Sequence, residues 1–406
     1  MSSHCDIINL PIEILDMVYK YIPDMRDKLN LAKSHCVLGK AFAFHAGNTF
    51  KEIVIERQTI EDWSAILSLC GSSVTSITAE DIKYTVSAAK LAFMHCPNLE
   101  KFSFSVCSSS WNQIKSLFLT LQNLSDIEIW NYGSEYLSGS GYVCVVDTLL
   151  LMPKLKHFKL SDNYPDLERF GELLNLTKLA IVNSIEPIDF FRVIRSLKNI
   201  DSLELHSAVV RMPKDLGDEQ LLPKIELLKL SYATFRTPLP YLPSLKHLTV
   251  SFGSDNTITD VFGESVFSYG KTLESLDISR IIVSFIKNDT IGVIMNLKAL
   301  KKLDFRVGYK DCLYDLRQLE NLEVLNLHLS NITNRGAIMV IKGCKKLRHL
   351  NIRKCDQVNS DMVKEAVTAL QNSPPRSDKP FVLIVGPDFG KVDKSNLGGV
   401  LNIEYA

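Results

Sequence analysis

One short phrase recurs along this chain and constrains its fold more than any other feature: apolar, two variable residues, apolar, one variable residue, apolar. It reads Leu99-Glu-Lys-Phe-Ser-Phe, Leu124-Ser-Asp-Ile-Glu-Ile, Leu155-Lys-His-Phe-Lys-Leu and Leu176-Thr-Lys-Leu-Ala-Ile. It returns as Ile200-Asp-Ser-Leu-Glu-Leu, Ile225-Glu-Leu-Leu-Lys-Leu, Leu245-Lys-His-Leu-Thr-Val and Leu273-Glu-Ser-Leu-Asp-Ile. The last copies are Leu300-Lys-Lys-Leu-Asp-Phe, Leu322-Glu-Val-Leu-Asn-Leu and Leu347-Arg-His-Leu-Asn-Ile, and two weaker ones, at Phe50 and Val74, precede the series. The steps run from about 20 to 31 residues and cluster near about 25. The last four residues of each phrase alternate apolar and polar, the pattern of a short strand with one buried face.

Between the strands, Ser87–Met94, Ile188–Leu197 and Ala337–Lys342 carry apolar residues that fit one face of a helix. A strand–loop–helix unit of about 25 residues cannot bury its apolar side alone, so the units must stack. The expected fold is α/β: a leucine-rich-repeat solenoid over residues 50–370, with a parallel sheet on its concave face, helices outside and right-handed crossovers. His95-Cys96-Pro97-Asn98-Leu99 and Gly343-Cys344-Lys345-Lys346-Leu347 both place Cys three residues before the first Leu. With Asn331–Gly336 and Asn351–Asn359, these segments resemble the cysteine-containing class of leucine-rich repeats, which is common in F-box proteins.

The first fifty residues follow another pattern. Pro11 suits the start of a helix and Glu13 its first turn. Ile14, Leu15, Val18 and Ile22 recur at helical spacing before Pro23. Asp24–Lys28 reads as a charged connection, with Asp27 capping a second helix that carries Leu29, Leu31, Ala32 and Val37; Ala41-Phe42-Ala43-Phe44 forms a third apolar piece. So small a piece holds more apolar positions than its own core can use. Leu10-Pro11-Ile12-Glu13-Ile14-Leu15, running on to Ile22, resembles the opening of an F-box, and Leu29-Asn-Leu31-Ala to Cys36 resembles its second half. The resemblance implies a small all-α F-box over residues 1–49 that docks on a Skp-family adaptor and through it on a cullin–RING ubiquitin ligase. By motif position, Leu10, Pro11, Ile14, Leu15 and Val18 would touch the adaptor, with Leu29 and Leu31. The chain departs from the family at Gly39, where Trp is usual, and Phe42 is the nearest aromatic. The alternative role for these helices is a plain cap on the solenoid.

Of the 406 residues, 46% are hydrophobic and 23% charged, a globular balance. Lys+Arg and Asp+Glu both total 46, which excludes the basic excess of a non-specific nucleic-acid binder. No secretory signal or membrane-length apolar run is legible, and nine cysteines without a signal read as reduced thiols, so a cytoplasmic or nuclear location and no membrane partner are expected. Gly263 to Gly270 encloses six residues where a phosphate loop needs four. Cys344, His349 and Cys355 lack the close ligand pairs of a zinc site. No catalytic constellation, cofactor or metal is expected.

Strand alternation turns the polar residues of each phrase toward one face. The candidate target-binding residues there are Trp130, His157, Lys159, His206, His247, Lys302, Asp304, Arg306, His328, His349 and Arg353. The last three or four repeats, where long polar side chains cluster, are the expected docking region. Asn131–Gly141 and Arg211–Gln220 read as surface loops. Residues 371–406 read as a linker through Lys379, a final strand at Phe381–Val385 covering the sheet edge, and a tail. The expected function is a non-catalytic substrate-recognition subunit of a Skp–cullin–F-box ubiquitin ligase with an unidentified target protein. The alternative is a scaffold with no part in ubiquitin transfer.

Overall fold

The computed structural model describes all residues except 1–5, 48, 56–59, 131–138, 162–166, 183, 185–186, 214–223, 253–257, 281–287, 307–309, 328–329 and 375–377. The chain divides into two compact units, Met1–Asn183 and Ser184–Ala406, so the division falls inside the repeat array.

In the first unit three helices, α1 (Ile12–Tyr21), α2 (Met25–Ser34) and α3 (Cys36–Ala46), precede six strands. These are β1 (Glu52–Val54), β2 (Ser76–Ala79), β3 (Lys101–Ser105), β4 (Asp126–Trp130), β5 (His157–Ser161) and β6 (Lys178–Val182). Each pairs in parallel with the next, and the register aligns equivalent positions of successive phrases: Ile53, Ile77, Phe102, Ile127, Phe158 and Leu179 lie side by side. All six are buried. Helices α4 (Ile60–Cys70), α5 (Ile82–His95), α6 (Ser108–Phe118) and α7 (Gly139–Leu150) connect the strands. Burying one such apolar side chain stabilises by about 1.5–3 kcal/mol, and the repeat multiplies that gain.

The second unit contains β7 (Ile188–Asp189), β8 (Ser202–His206), β9 (Ala208–Val210), β10 (Leu227–Phe235), β11 (His247–Phe252) and β12 (Ser275–Asp277). It continues through β13 (Lys302–Asp304), β14 (Val324–Asn326), β15 (His349–Asn351), β16 (Phe381–Val385) and β17 (Leu401–Tyr405). From β8 through β10 to β17 the pairing is parallel throughout. Its core is a leucine ladder: Leu203, Leu228, Leu248, Leu276, Leu303, Leu325, Leu350 and Leu383, none more than 1% exposed. All thirteen phrases form strands, and the array is a leucine-rich-repeat solenoid.

Several sequence expectations are corrected here. Phe381–Val385 is not the last strand, because the alternating Leu401-Asn-Ile-Glu-Tyr segment pairs outside it. Ser87–Met94 lies in α5, but Ile188–Leu197 opens as strand β7 before α8 (Phe190–Ser196). Residues 236–246 hold no helix, since Pro238, Pro240 and Pro243 remove donors and clash with a helical backbone. The other connections of this unit include α9 (Ile258–Phe262), α10 (Val266–Tyr269), α11 (Asn288–Met295), α12 (Asn334–Gly343) and α13 (Val363–Gln371).

At the N-terminus, Asp24 rather than Asp27 caps α2, accepting the Arg26 and Asp27 N–H groups at 2.8 and 3.3 Å. The supposed connection is therefore the first turn of the helix. Gly39 is buried, and a Cβ there would sit 3.1 Å from Leu69 Cδ2 of α4. A side chain there must displace the Leu69 methyl and crowd the Ala32 carbonyl oxygen, 3.3 Å away. Phe42, fully buried between Tyr19 and Phe50 at ring distances of 5.6 and 6.5 Å, belongs to the core. The first repeat thus covers part of the apolar surplus of the three helices.

Candidate functional site

On the N-terminal helices, the residues expected to face a partner divide into two groups. Leu15 and Leu29 are 1% and 3% exposed and pack inside the helical bundle itself. Pro11 and Ile14 are exposed, while Leu10, Val18 and Leu31 are half-buried. The bundle is held by the Tyr19 hydroxyl, which donates to the Leu38 carbonyl at 3.0 Å. Asp16 pairs with Lys20 one turn on in α1 at 2.7 Å and ties α1 to His45 of α3 at 2.8 Å. The Lys20 ammonium, then His45, hold the Asp16 carboxyl below its ordinary value. Opposite this anchored side, Ile14, Met17 and Tyr21 stand exposed on one stripe of α1, with Ile12 and Met25 beside its ends in sequence. Met17 and Tyr21 are not among the adaptor-contact positions that the F-box resemblance implies; their i, i+3, i+7 spacing from Ile14 is the sequence signal that places them on its stripe.

In the first unit, the register builds a polar cluster on the open sheet face. Glu128 lies between Ser103 and Lys159 on the neighbouring strands. Its Oε1 accepts the Lys159 ammonium at 2.5 Å and the Trp130 ring N–H at 3.0 Å, and its Oε2 accepts the Ser103 hydroxyl at 3.5 Å. Trp130 is half-buried with its ring N–H engaged, so it is a fixed aromatic surface. His157 Nδ1 lies 3.3 Å from Asp126 Oδ2 in the adjoining row. Glu128 organises this group, and opposite charges at equivalent positions of successive phrases were the legible sign of it.

In the second unit, Glu204 lies 3.8 Å from His206 and 3.7 Å from Lys229. Asp304, 8% exposed, accepts the Asn326 amide and pairs with Lys302 at 3.3 Å. His247, Arg306, His349 and Arg353 are exposed. His328 lies outside the described residues. The structure therefore brings Lys302, Asp304 and Arg306 onto one strand and its continuation, while His206 and His247 lie on strands nearer the start of the unit. Tyr232, which alternation assigns to the core, is instead exposed beside His206, with ring centroids 6.1 Å apart.

The motifs with chemical overtones have structural roles. A Cβ at Gly270 would meet the Asn296 carbonyl oxygen, and one at Gly263 would meet Pro238. Cys344 and Cys355 are buried, and their thiols donate to the carbonyls of Leu316 and Leu327 at 3.5 and 3.1 Å. Burial pushes the Cys355 thiol up to about 11, so it stays protonated at neutral pH. No helix among the described residues is long and apolar enough to cross a membrane.

Compared by sequence, the chain matches no protein-family model and no curated protein. Among solved structures it is similar to the crystal structure of the yeast Rad7 and Elc1 complex, at 14% identity and a TM-score of 0.42, covering 96% of this chain and 95% of that one. It is also similar to an internalin from Listeria monocytogenes, at 13% identity and a TM-score of 0.40, covering 84% of this chain and 91% of that one.

Proposed function

We propose that this repeat protein is the substrate-recognition subunit of a Skp–cullin–F-box ubiquitin ligase. Its N-terminal helices bind a Skp-family adaptor, its repeat face holds a target protein, and it carries out no chemistry itself. The observation that carries the reading is the apolar stripe Ile14–Met17–Tyr21, left open on the same helix whose Leu10-Pro11-Ile12-Glu13 entry resembles an F-box. A plain cap would present a polar outer face to water; this one presents apolar side chains whose burial needs a partner. The buried anchors Leu15, Tyr19 and Leu29 hold α1 so that the stripe faces outward.

Changing Ile14, Met17 and Tyr21 together to Ser tests the adaptor interface without touching the core. Co-purification with a Skp-family adaptor and cullin is expected for the wild type and lost in the variant, with the melting temperature preserved. Adaptor binding that survives the triple change refutes this interface. Wild-type protein that never binds the adaptor leaves the scaffold role. On the target side, Arg306, His349 and Arg353 changed to Ala should abolish capture of proteins whose abundance rises when the receptor is absent. Unchanged capture would place the target elsewhere on the repeats.

A further inference from the structure

The fifth residue before each phrase distinguishes the two units. In the first unit it is Met94, Leu119 and Leu150, at the ends of the adjacent helices α5, α6 and α7, exposed 65%, 40% and 39%. In the second, among the described residues, it is Arg195, Ser268, Arg317 and Lys342, while Pro240 and Met295 at the same place are buried. The repeat thus accepts a polar side chain here, and its own packing calls for no open apolar one. Phe93 and Leu151 stand next to Met94 and Leu150 in sequence and are also exposed, and Leu174 extends the row by one repeat. An exposed apolar row of this length on a globular chain marks a binding surface.

One repeat earlier the structure shows what can cover this place. There it is Leu69 of α4, half-buried, whose Cδ2 lies against Gly39 of α3. A helix therefore already lies over the first position of the series, and the positions that follow are bare. Packed helices lie about 8–10 Å apart, and seven residues of helix advance about 10.5 Å. A helix laid across α5, α6 and α7 can thus set one apolar residue on each anchor at every second turn. The flanks of the row are basic. Lys90 and Lys115 stand one helical turn before Met94 and Leu119, and Lys154 and Lys156 enclose Leu155 just beyond Leu151. Of the carboxylates along these helix ends and turns, Asp147 and Glu172 pair with Arg169 and Asp126 with His157, which leaves Glu100 against four lysines.

We propose that this row docks an amphipathic helix of a partner protein, one with apolar residues seven apart along a single face and carboxylates on either side of them. Such a helix is held by its apolar stripe, and the lysines supply the charge that its flanks complement. A second copy of this chain fits less well, because two rows meeting face to face would bring like lysines together. An anionic lipid surface also fits less well, since Glu100, Asp147 and Glu172 would meet charge of their own sign. The row belongs to helix ends, whereas the polar target face belongs to the strands. The proposal therefore depends on neither the adaptor nor the target.

The test uses the full chain and three labelled peptides of three heptads each, read by fluorescence anisotropy. The first carries Leu at the first and fourth places of every heptad and Glu at the flanking places. The second has Lys in place of Glu, and the third holds the residues of the first in scrambled order. The Glu peptide should bind about tenfold or more tightly than either of the others. Met94→Ser, Leu119→Ser and Leu150→Ser together should weaken it by about tenfold or more, because the apolar burial is lost, with far-ultraviolet circular dichroism and the melting temperature unchanged. Lys90→Glu with Lys115→Glu should reverse the preference, so that the Lys peptide binds better. Equal binding of the Glu and Lys peptides, no binding of any peptide, or a preference unmoved by the charge reversal overturns the proposal. So does a wild-type dimer that the triple Ser change makes monomeric, since a second copy would then cover the row. Sedimentation with phosphatidylserine–phosphatidylcholine vesicles that the same change abolishes also overturns it, in favour of lipid. Adaptor co-purification should be unaffected by these variants, so failure here is separable from failure of the ligase reading.

Discussion

Gly270 occupies a place where a methyl group does not fit: a Cβ would lie 2.3 Å from the Asn296 carbonyl oxygen, and the Gly270 carbonyl accepts the Ala299 N–H at 2.9 Å. Gly71 has the same position in its repeat and the same conflict, with the His95 carbonyl at 2.2 Å. Gly270→Ala is therefore expected to destabilise the protein by roughly 1–3 kcal/mol through overpacking, read as a lower urea midpoint at unchanged slope. In other repeats the same position holds Cys96 and Cys344, both buried. Burial pushes the Cys96 thiol up to about 12, so it packs as a small apolar group. Asp16 gives a pH signature. Its folded carboxyl is held below the ordinary 3.8, so its stabilising effect is complete above that pH and is lost as pH falls through the lower folded value. Asp16→Asn should melt earlier than wild type at pH 6, and the gap between the two melting curves should close below about pH 3.8. A gap that persists in acid would refute this role.

At the scale of elements, the turns between repeats share a device that periodicity did not expose. Asn98, Asn123, Asn175 and Asn321 each precede the first apolar residue of a phrase. Their side-chain amides donate to the carbonyls of Ser72, Pro97, Pro153 and Lys298 one repeat back, at 2.8, 3.1, 3.0 and 2.9 Å. The recurrence was legible; its partner was not, because a carbonyl about 25 residues away becomes a neighbour only when the units stack. The start of α2 shows the same limit. Asp24 and Asp27 are both chemically fit to cap a helix, and only the backbone turn before Met25 selects Asp24. Asp24→Ala should cost about 1 kcal/mol, measured by chemical denaturation, whereas Asp27→Ala should cost less. Equal losses would reverse that assignment. The left-handed backbone at Ser207 and Tyr232, with φ of 55° and 53°, left no mark in the pattern, since Ser231-Tyr232-Ala233 reads as ordinary alternation until the register shift of β10 between Leu230 and Ala233 is seen.

At the scale of each unit, stability comes from repetition: in the second unit one leucine from β8 and from each of β10 to β16 forms a single buried column. Long parallel arrays expose hydrogen-bonding groups at a terminal strand. Here β16 and β17 continue the pairing past β15, with Leu383 beside Ile403. Truncation after Gln371 should uncover the edge of β15 and the apolar sides of Leu350 and α13, giving concentration-dependent light scattering. A truncated chain that stays monomeric would show that these strands are dispensable for covering the edge.

By itself the sequence determined the repeat, the thirteen strands and their polar face, because a two-residue alternation repeated at near-constant steps admits one stacking. It also determined that helical sequence precedes the array, since the apolar spacing of α1 and its flanking Pro11 and Pro23 are local signals, but it did not place the break between α2 and α3: Val37, expected on the second helix, lies in α3. Only the tertiary structure decided which of the motif residues face outward. Leu15 and Ile14 are adjacent and both apolar, yet the first is enclosed and the second open, a difference set by the packing of α1 against α3. It alone placed Lys159 against Glu128 across β4 and β5, and His157 against Asp126. These neighbours come from different repeats, and cross-strand register is a property of the stacked chain, which no single repeat contains.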